Sequence, residues 1–294
     1  MKRQRNWRRL SSMSEVFTLA QAQAALQAQG LERLDAQLLL LHVLGIEQNQ
    51  RSWLLAHDTD TLAPSTHETL QAMALRRLAG EPLAYITGRK DFFDLNLQVG
   101  PGVLVPRPDT ETLVSWALEL VPSRGSRVLD LGTGSGAIAL AIKVKQPAAQ
   151  VWAVDLSEAA LDYARNNAQQ LGLTVTLLAG HWFDALPSDT DLFDCIVSNP
   201  PYVAMHDPHL TALHAEPISA LASGPEGLDD LSNITAKALA HLAPGGWLLL
   251  EHGYDQASAV RALLHHAGFT HIQSRTDLNG VERCSGGQRP TTES

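Results

Sequence analysis

Between residues 14 and 88 the apolar positions recur at helical spacing. The segment TLAQAQAALQAQG is rich in Ala, Gln and Leu and stops at Gly30, a residue suited to ending a helix. ERLDAQLLLLHVLG repeats the pattern with a stronger apolar face and closes at Gly45. SWLLAHDTD and STHETLQAMALRRLAG add one or two more helices, with Ser65 or Thr66 as the N-cap of the last and Gly80 at its end. No strand alternation occurs in this stretch, so it predicts a small helical bundle over residues 14–88.

The pattern then changes. Phe93, Leu95 and Leu97 alternate with polar residues, VGPG supplies a turn, and VLV returns, which predicts a β-hairpin linker over residues 89–108. DTETLVSWALELV opens a helix, capped by Asp109 or Thr110. From residue 127 short apolar strands and helices alternate. RVLDL, QVWAVDL, TVTLL, DCIVS and GWLLLEHG read as strands. GAIALAIKVK, SEAALDYARNNAQQLG (with Ser157 as cap and Gly172 as stop) and QASAVRALLHHAGF read as helices. Such alternation predicts an α/β domain with a parallel, doubly wound sheet over residues 109–285. The polar end, residues 286–294, is read as a disordered tail.

Composition narrows this picture. The 294 residues are 45% hydrophobic, enough for one large or two modest cores. No apolar run reaches the roughly 18–20 residues of a membrane-spanning helix. Two cysteines, Cys195 and Cys284, cannot build a disulfide framework and fit a reducing, cytoplasmic setting. The net charge is −9, yet the first twelve residues carry five positive charges and no acid. The remainder holds 17 basic against 31 acidic side chains, a net −14, which disfavours a phosphate backbone as partner. The basic head, residues 1–13, is read as disordered; it lacks the apolar segment of a secretory signal.

Two local patterns carry chemistry. VLDLGTGSGAIAL places Gly132, Thr133, Gly134, Ser135 and Gly136 between a strand and a helix. Glycines there allow a sharp turn against a ligand beside the free amides of a helix N-terminus. Asp155 ends the next strand, where a carboxylate can accept hydrogen bonds from both hydroxyls of a ribose. The GxGxG spacing, with Asp130 just before it, suits a ligand with an ammonium group better than a pyrophosphate. S-adenosylmethionine is such a ligand.

The second pattern is Asn199-Pro200-Pro201-Tyr202, directly after the DCIVS strand. A planar nitrogen, in an amide or an aromatic amine, is a poor nucleophile because its lone pair is delocalised. Two acceptors in fixed positions help by binding its N–H groups and holding it in line with a methyl donor. Asn199 offers a side-chain oxygen and Pro200 a carbonyl, which Pro201 aims by restricting Pro200 to an extended conformation. Tyr202 offers a flat face. His206, His209 and His214 follow in the next loop with no metal-ligand spacing, and no metal is expected.

With these residues in view, the chain resembles the bacterial peptide chain release factor glutamine methyltransferases. DAQLLL, EPLAYITG, VPRPDTE, LDLGTGSGAIAL, AVDLS, VSNPPYV, EPISAL and LLLEHG occur in that family's order, from about residue 14 to residue 284. The resemblance implies a Rossmann-like, seven-stranded S-adenosylmethionine-dependent methyltransferase domain behind the helical bundle and the hairpin. It implies transfer of a methyl group to the glutamine amide of the Gly-Gly-Gln motif in class-I release factors, by a monomer with no membrane or nucleic-acid partner. Carried over by position, Gly132 to Gly136, Asp155, Trp182 and Asn199 hold S-adenosylmethionine, with Trp182 near the adenine. Asn199 to Tyr202 bind the substrate amide, and Asn199, Pro200 and Tyr202 act in catalysis. Two other activities fit the corner: methylation of a ribosomal-protein glutamine, and amino-methylation of adenine or cytosine in nucleic acid. Two positions depart from the family. His181 stands where an acid is usual, and Gly286-Gly287-Gln288 near the end repeats the substrate motif. Chance is the simpler account of that repeat, and self-methylation of Gln288 the other.

Overall fold

The computed structural model describes residues 17–121 and 125–291. The basic head expected over 1–13 lies outside the described residues. The chain divides into two compact units at Thr87 and Gly88.

The first unit is helical, as its periodicity predicts. It contains α1 (Leu19–Ala28), α2 (Arg33–Val43), α3 (Arg51–Ala56), α4 (Pro64–Leu78) and α5 (Leu83–Thr87). Thr18 and Gln21 close a reciprocal cap on α1, satisfying two otherwise free amides. Leu26, Leu39, Leu40, Leu41 and Leu70 are fully buried and form the core. Arg77 Nε donates to Asp35 Oδ2 at 2.6 Å, tying α4 to α2. One expectation needs correction. The cap of α4 is Ala63, not Ser65 or Thr66, because Pro64 takes the first helical position. There its fixed φ suits the helix and its missing N–H costs nothing.

The second unit opens with the hairpin of β1 (Arg89–Phe92) and β2 (Leu95–Gln98), then α6 (Glu111–Leu120). There follow β3 (Arg127–Leu131), α7 (Ala137–Lys145), β4 (Gln150–Asp155), α8 (Glu158–Leu171), β5 (Thr176–Ala179) and β6 (Phe193–Ser198). After these come α9 (Asp229–Ala238), β7 (Leu242–Glu251), α10 (Ala257–His266), β8 (Thr270–Thr276) and β9 (Glu282–Gln288). The hairpin belongs to this unit. Asn167 of α8 is buried, exchanges hydrogen bonds with the Gln98 backbone, and also donates to the Ser135 carbonyl.

Seven strands form one sheet in the order β5-β4-β3-β6-β7-β9-β8. Side chains alternate between two cores, as a sheet covered on both faces requires. Val128, Cys195, Val197 and Leu249 pack with α6 and α7, whereas Leu129, Ile196, Leu248 and Leu250 pack with α9 and α10. The sheet is not wholly parallel, correcting the expectation from alternation: β9 is inserted antiparallel between β7 and β8. The chain order reverses at β3, whose neighbours are β4 and β6. A crevice at the carboxyl ends of the strands forms where such a reversal occurs. Ser198 Oγ donates to the Leu131 carbonyl at 2.7 Å, locking the ends of β6 and β3 together.

The expected tail from residue 286 is also corrected. Gly286, Gly287 and Gln288 lie in β9, paired with Leu249, Leu248 and Trp247. Packing explains the two glycines. A Cβ on Gly286 would stand 2.6 Å from Leu249 Cδ2 and 2.7 Å from the Leu248 carbonyl, and one on Gly287 2.8 Å from Phe269 Cβ. Gln288 faces the amino end of the parallel strands, and its amide donates to the Gly245 carbonyl at 2.8 Å. It is therefore at the opposite end of the strands from Asn199, which excludes methylation of Gln288 within one molecule. Gly286→Ala is expected to cost about 1–3 kcal/mol, the usual penalty of overpacking. Urea unfolding measures it; an unchanged midpoint would mean that Leu249 and Trp116 yield without cost.

Candidate active site

The loop between β3 and α7 turns through three glycines in the left-handed region, with φ of 74° at Gly132, 57° at Gly134 and 84° at Gly136. Side chains are strained there. Gly132 and Gly134 face a cavity of about 390 Å³, within the usual range for small-ligand sites. Thr133 and Ser135 are buried instead and do not line it. Gly136 opens α7, where a Cβ would press on Leu140 and Ala164. Asp130 lies under the loop and is fully buried. Its Oδ2 accepts from the Thr133 hydroxyl at 2.6 Å and the Ala139 amide at 3.2 Å, so it holds the loop rather than a ligand.

Asp155 ends β4 and lines the same cavity. Its Oδ2 accepts from the Gly134 amide at 2.8 Å and Oδ1 from the Ser157 amide at 2.9 Å. Each carboxylate oxygen has a second lone pair, so two hydroxyls can still be received. Burial pushes this carboxyl above its ordinary value, with the backbone donors opposing. Trp182 walls the cavity next to Gly132, and its Nε1 donates to Asp230 Oδ1 at 3.2 Å. It holds φ at 47°, a strained setting for a bulky residue of the kind that clusters at functional sites. His181, in place of the expected acid, is exposed and tilts over Trp182 with ring centres 5.5 Å apart.

The opposite wall is the corner after β6. Asn199 and Pro201 line the cavity; Pro200 is buried, and Tyr202 stands behind with its hydroxyl on Glu251 Oε1 at 3.2 Å. Asn199 Nδ2 donates to Thr110 Oγ1 at 3.2 Å, which leaves its Oδ1 for a guest. Among the described residues no backbone amide is donated to the Pro200 carbonyl. The corner is fixed from outside: the Tyr202 and Val203 amides both donate to Leu221, and Gln256 Nε2 donates to the Tyr202 carbonyl at 3.0 Å. Two further wall segments are joined by Glu216. Its carboxylate receives the Val105 amide at 2.9 Å and the Arg107 guanidinium, tying the strap of Val103 and Leu104 to the loop of Pro217 and Ser219.

Two buried acids sit behind these walls. Burial lifts Asp130 to about 7 and Glu251 to about 7, against their hydrogen bonds. Both hold protons more tightly folded than unfolded. The stability they contribute is therefore fully present below about pH 4 and is lost as pH rises through about 7, on the order of 3–4 kcal/mol each. Melting temperatures recorded from pH 5 to pH 8 should accordingly fall less steeply in Asp130→Asn than in the natural chain; parallel profiles would contradict this. Among the described residues no three His, Cys, Asp or Glu side chains are arranged to hold a metal ion. His206, His209 and His214 lie in the loop after the corner, with His209 hydrogen-bonded to Asp207.

The structure thus brings Gly132, Gly134, Asp155, Trp182, Asn199 and Pro201 to one cavity, and sets Thr133, Ser135, Gly136, Pro200 and Tyr202 around it. Reading the sequence missed Asp230, Glu251 and the contact of Thr110 with Asn199. Only Glu251 carried a signal: an acid ending an apolar strand, as Asp155 does.

The family profile described as the PrmC N-terminal domain matches residues 18–88, and that of the methyltransferase small domain matches residues 109–224. A Bordetella pertussis protein named release factor glutamine methyltransferase is 51% identical over 261 residues, covering 88% of this chain and 95% of its own. Proteins of the same name from Xylella fastidiosa and Escherichia coli are 49% and 40% identical, covering 88% and 92% of this chain and 94% and 97% of their own. Among solved structures, a methyltransferase from Pyrococcus furiosus shares the fold at a TM-score of 0.52 and 20% identity, covering 75% of this chain and 98% of its own. The 16S rRNA N2 G1207 methyltransferase of T. thermophilus, solved with AdoMet and guanosine, does so at 0.52 and 22%, covering 68% and 49%. The chain belongs to the release factor glutamine methyltransferase family.

Proposed function

We infer that this protein transfers a methyl group from S-adenosylmethionine to the side-chain amide nitrogen of the glutamine in the Gly-Gly-Gln motif of class-I release factors. The observation that carries this is one shared cavity. The glycine loop and Asp155 form one side, and Asn199, with its oxygen left unpaired by the Thr110 contact, forms the other. The residues fit the cofactor: a carboxylate with spare lone pairs for a ribose diol, and an indole beside side-chain-free backbone for a purine.

S-adenosylmethionine supplies a methyl group on a positively charged sulfur. Asn199 Oδ1 and the Pro200 carbonyl hold the two N–H groups of the substrate amide, which draws its lone pair out of conjugation toward that methyl. Tyr202, its ring fixed through Glu251, supports the amide plane. Bound there, S-adenosylmethionine would give its methyl to the held nitrogen as its S–C bond breaks, and the amide would shed one proton to solvent. The walls pinned by Glu216 limit water at the cofactor side. No helix of the described residues is long and apolar enough to cross a membrane, and both cysteines are free and buried, which supports a cytoplasmic setting.

Radiolabelled methyl transfer tests this, with purified release factor, ribosomal protein and nucleic acid offered in parallel. Label is expected in release factor and absent when its motif glutamine is changed. Label in nucleic acid alone would overturn the reading.

A further inference from the structure

We propose that Asn167 is a positioning residue for the cofactor: from one face of α8 it holds both the glycine loop and the segment after β2 in register as walls of the cavity. The inference rests on that cavity being the cofactor's site.

Gly102, Val103 and Leu104 line the cavity beside Gly134, where a Cβ would stand 3.5 Å from Val103 Cγ2. From the end of β2 at Gln98 to Pro108 the chain has no helix or strand, so no ladder of its own fixes it. At its far end the Val105 amide is held by Glu216. At its near end the hold comes from α8. Asn167 Oδ1 accepts from the Gln98 amide at 2.7 Å, and Nδ2 donates to the Gln98 carbonyl at 3.0 Å. The Tyr163 hydroxyl lies against Gly100, where a Cβ would collide with its oxygen. Ala159 lies against Gly102, with its Cβ 3.5 Å from where a Cβ on that glycine would be. Residues 159, 163 and 167 are four apart and share one helix face, and the segment runs along that face in the opposite direction. Gly100 is outside the left-handed region, so its backbone does not call for glycine; the Tyr163 contact does.

Asn167 has a second hold. Its Nδ2 also donates to the Ser135 carbonyl at 2.9 Å. The glycine loop is therefore pinned on two sides, by Asp155 at the Gly134 amide and by Asn167 at the Ser135 carbonyl. Asn167 is 1% exposed, and its amide supplies the one acceptor and two donors that these backbone groups need. A carboxylate there would face two carbonyls with no hydrogen to give. Two walls of one cavity thus share one anchor. Loosening it leaves each cofactor contact chemically present but displaced, so the loss falls on binding.

The test compares the natural chain with Asn167→Ala, Gly100→Ala, Tyr163→Phe, the Gly100→Ala/Tyr163→Phe double variant and Asp155→Ala. Affinity for S-adenosylhomocysteine is read by calorimetry, and kcat for release factor methylation at saturating cofactor. Asn167→Ala is expected to weaken affinity about 10-fold and to keep kcat within about 3-fold. Gly100→Ala should weaken affinity about 10-fold in the natural background but less than about 3-fold in the Tyr163→Phe background. There the colliding oxygen is gone, and the nearest ring carbon, 3.2 Å from the new methyl, needs only a small shift. A structural role with no link to the cofactor would move melting temperatures and leave these affinities alone. An unchanged affinity in Gly100→Ala, or equal losses in both backgrounds, would overturn the proposal, and this pair decides even where Asn167→Ala fails to fold. If Asp155→Ala weakens binding and Gly100→Ala does not, only this inference fails. If neither weakens it, the reading of the cavity fails as well.

Discussion

Asn199→Ala is expected to lower kcat for release factor methylation by about 10²–10³-fold, the usual cost of removing one preorganised group at a developing charge. Affinity for the cofactor should stay within about 3-fold, because Asp155, Trp182 and the glycine loop meet the cofactor without its help. The split follows from the geometry. The side chain hangs from the rigid turn after β6, is held at its nitrogen by Thr110, and turns only its oxygen to the cavity. Truncation removes that oxygen while Pro200 and Pro201 keep the backbone in place. Steady-state kinetics at saturating cofactor, beside a calorimetric titration, measures both numbers. An unchanged kcat would remove Asn199 from the mechanism, and a large loss of affinity would make it a cofactor residue instead.

The second large effect is on binding. Asp155→Ala is expected to weaken cofactor binding by about 10²-fold. Hydrogen bonds to a carboxylate contribute about 1.5–3 kcal/mol each, and two are available to a ribose diol. The full sum is reduced here because the site is only partly buried, which brings the loss to roughly 3 kcal/mol, or two orders of magnitude. The same substitution frees the Gly134 and Ser157 amides, so the glycine loop should also loosen. With enough cofactor, kcat should recover most of its natural value, since Asp155 touches no reacting atom. Calorimetry with S-adenosylhomocysteine reads the effect; an unchanged affinity would reduce Asp155 to a cap for its own loop.

The parts of this molecule legible in the sequence are those written locally. The β3–loop–α7 and β4–α8 segments announce themselves through short apolar runs, three glycines, and Ser157 and Gly172 at the helix ends; the Ser157 hydroxyl caps α8 where expected. The Asn199 corner is equally local. What stayed hidden depends on partners far along the chain. The strand β8 reads THIQSRT, polar on nearly every position because it lies at the sheet edge. The strand β9 carries two glycines that look like a loop, yet the approach of Leu249 and Phe269 demands them. The helix α9 begins with two acids and shows its apolar face only at Leu231, Ile234 and Ala238. Thr110 looked like a helix cap, and its side chain caps nothing. Its hydroxyl instead receives Asn199, from the end of a strand that only the folded sheet brings near. The resemblance to release factor methyltransferases located the site, but the buried acceptor behind it is visible only in three dimensions.

The claim on which the account turns is that the Asn199 side-chain oxygen and the Pro200 carbonyl together receive the two hydrogens of a substrate amide. A crystal structure of this protein with S-adenosylhomocysteine and a Gly-Gly-Gln peptide tests it most directly. The account predicts both oxygens within about 3.2 Å of the glutamine nitrogen, with that nitrogen turned toward the cofactor sulfur. A glutamine amide held by other groups, or an Asn199 that presents its nitrogen to the cavity, would contradict it.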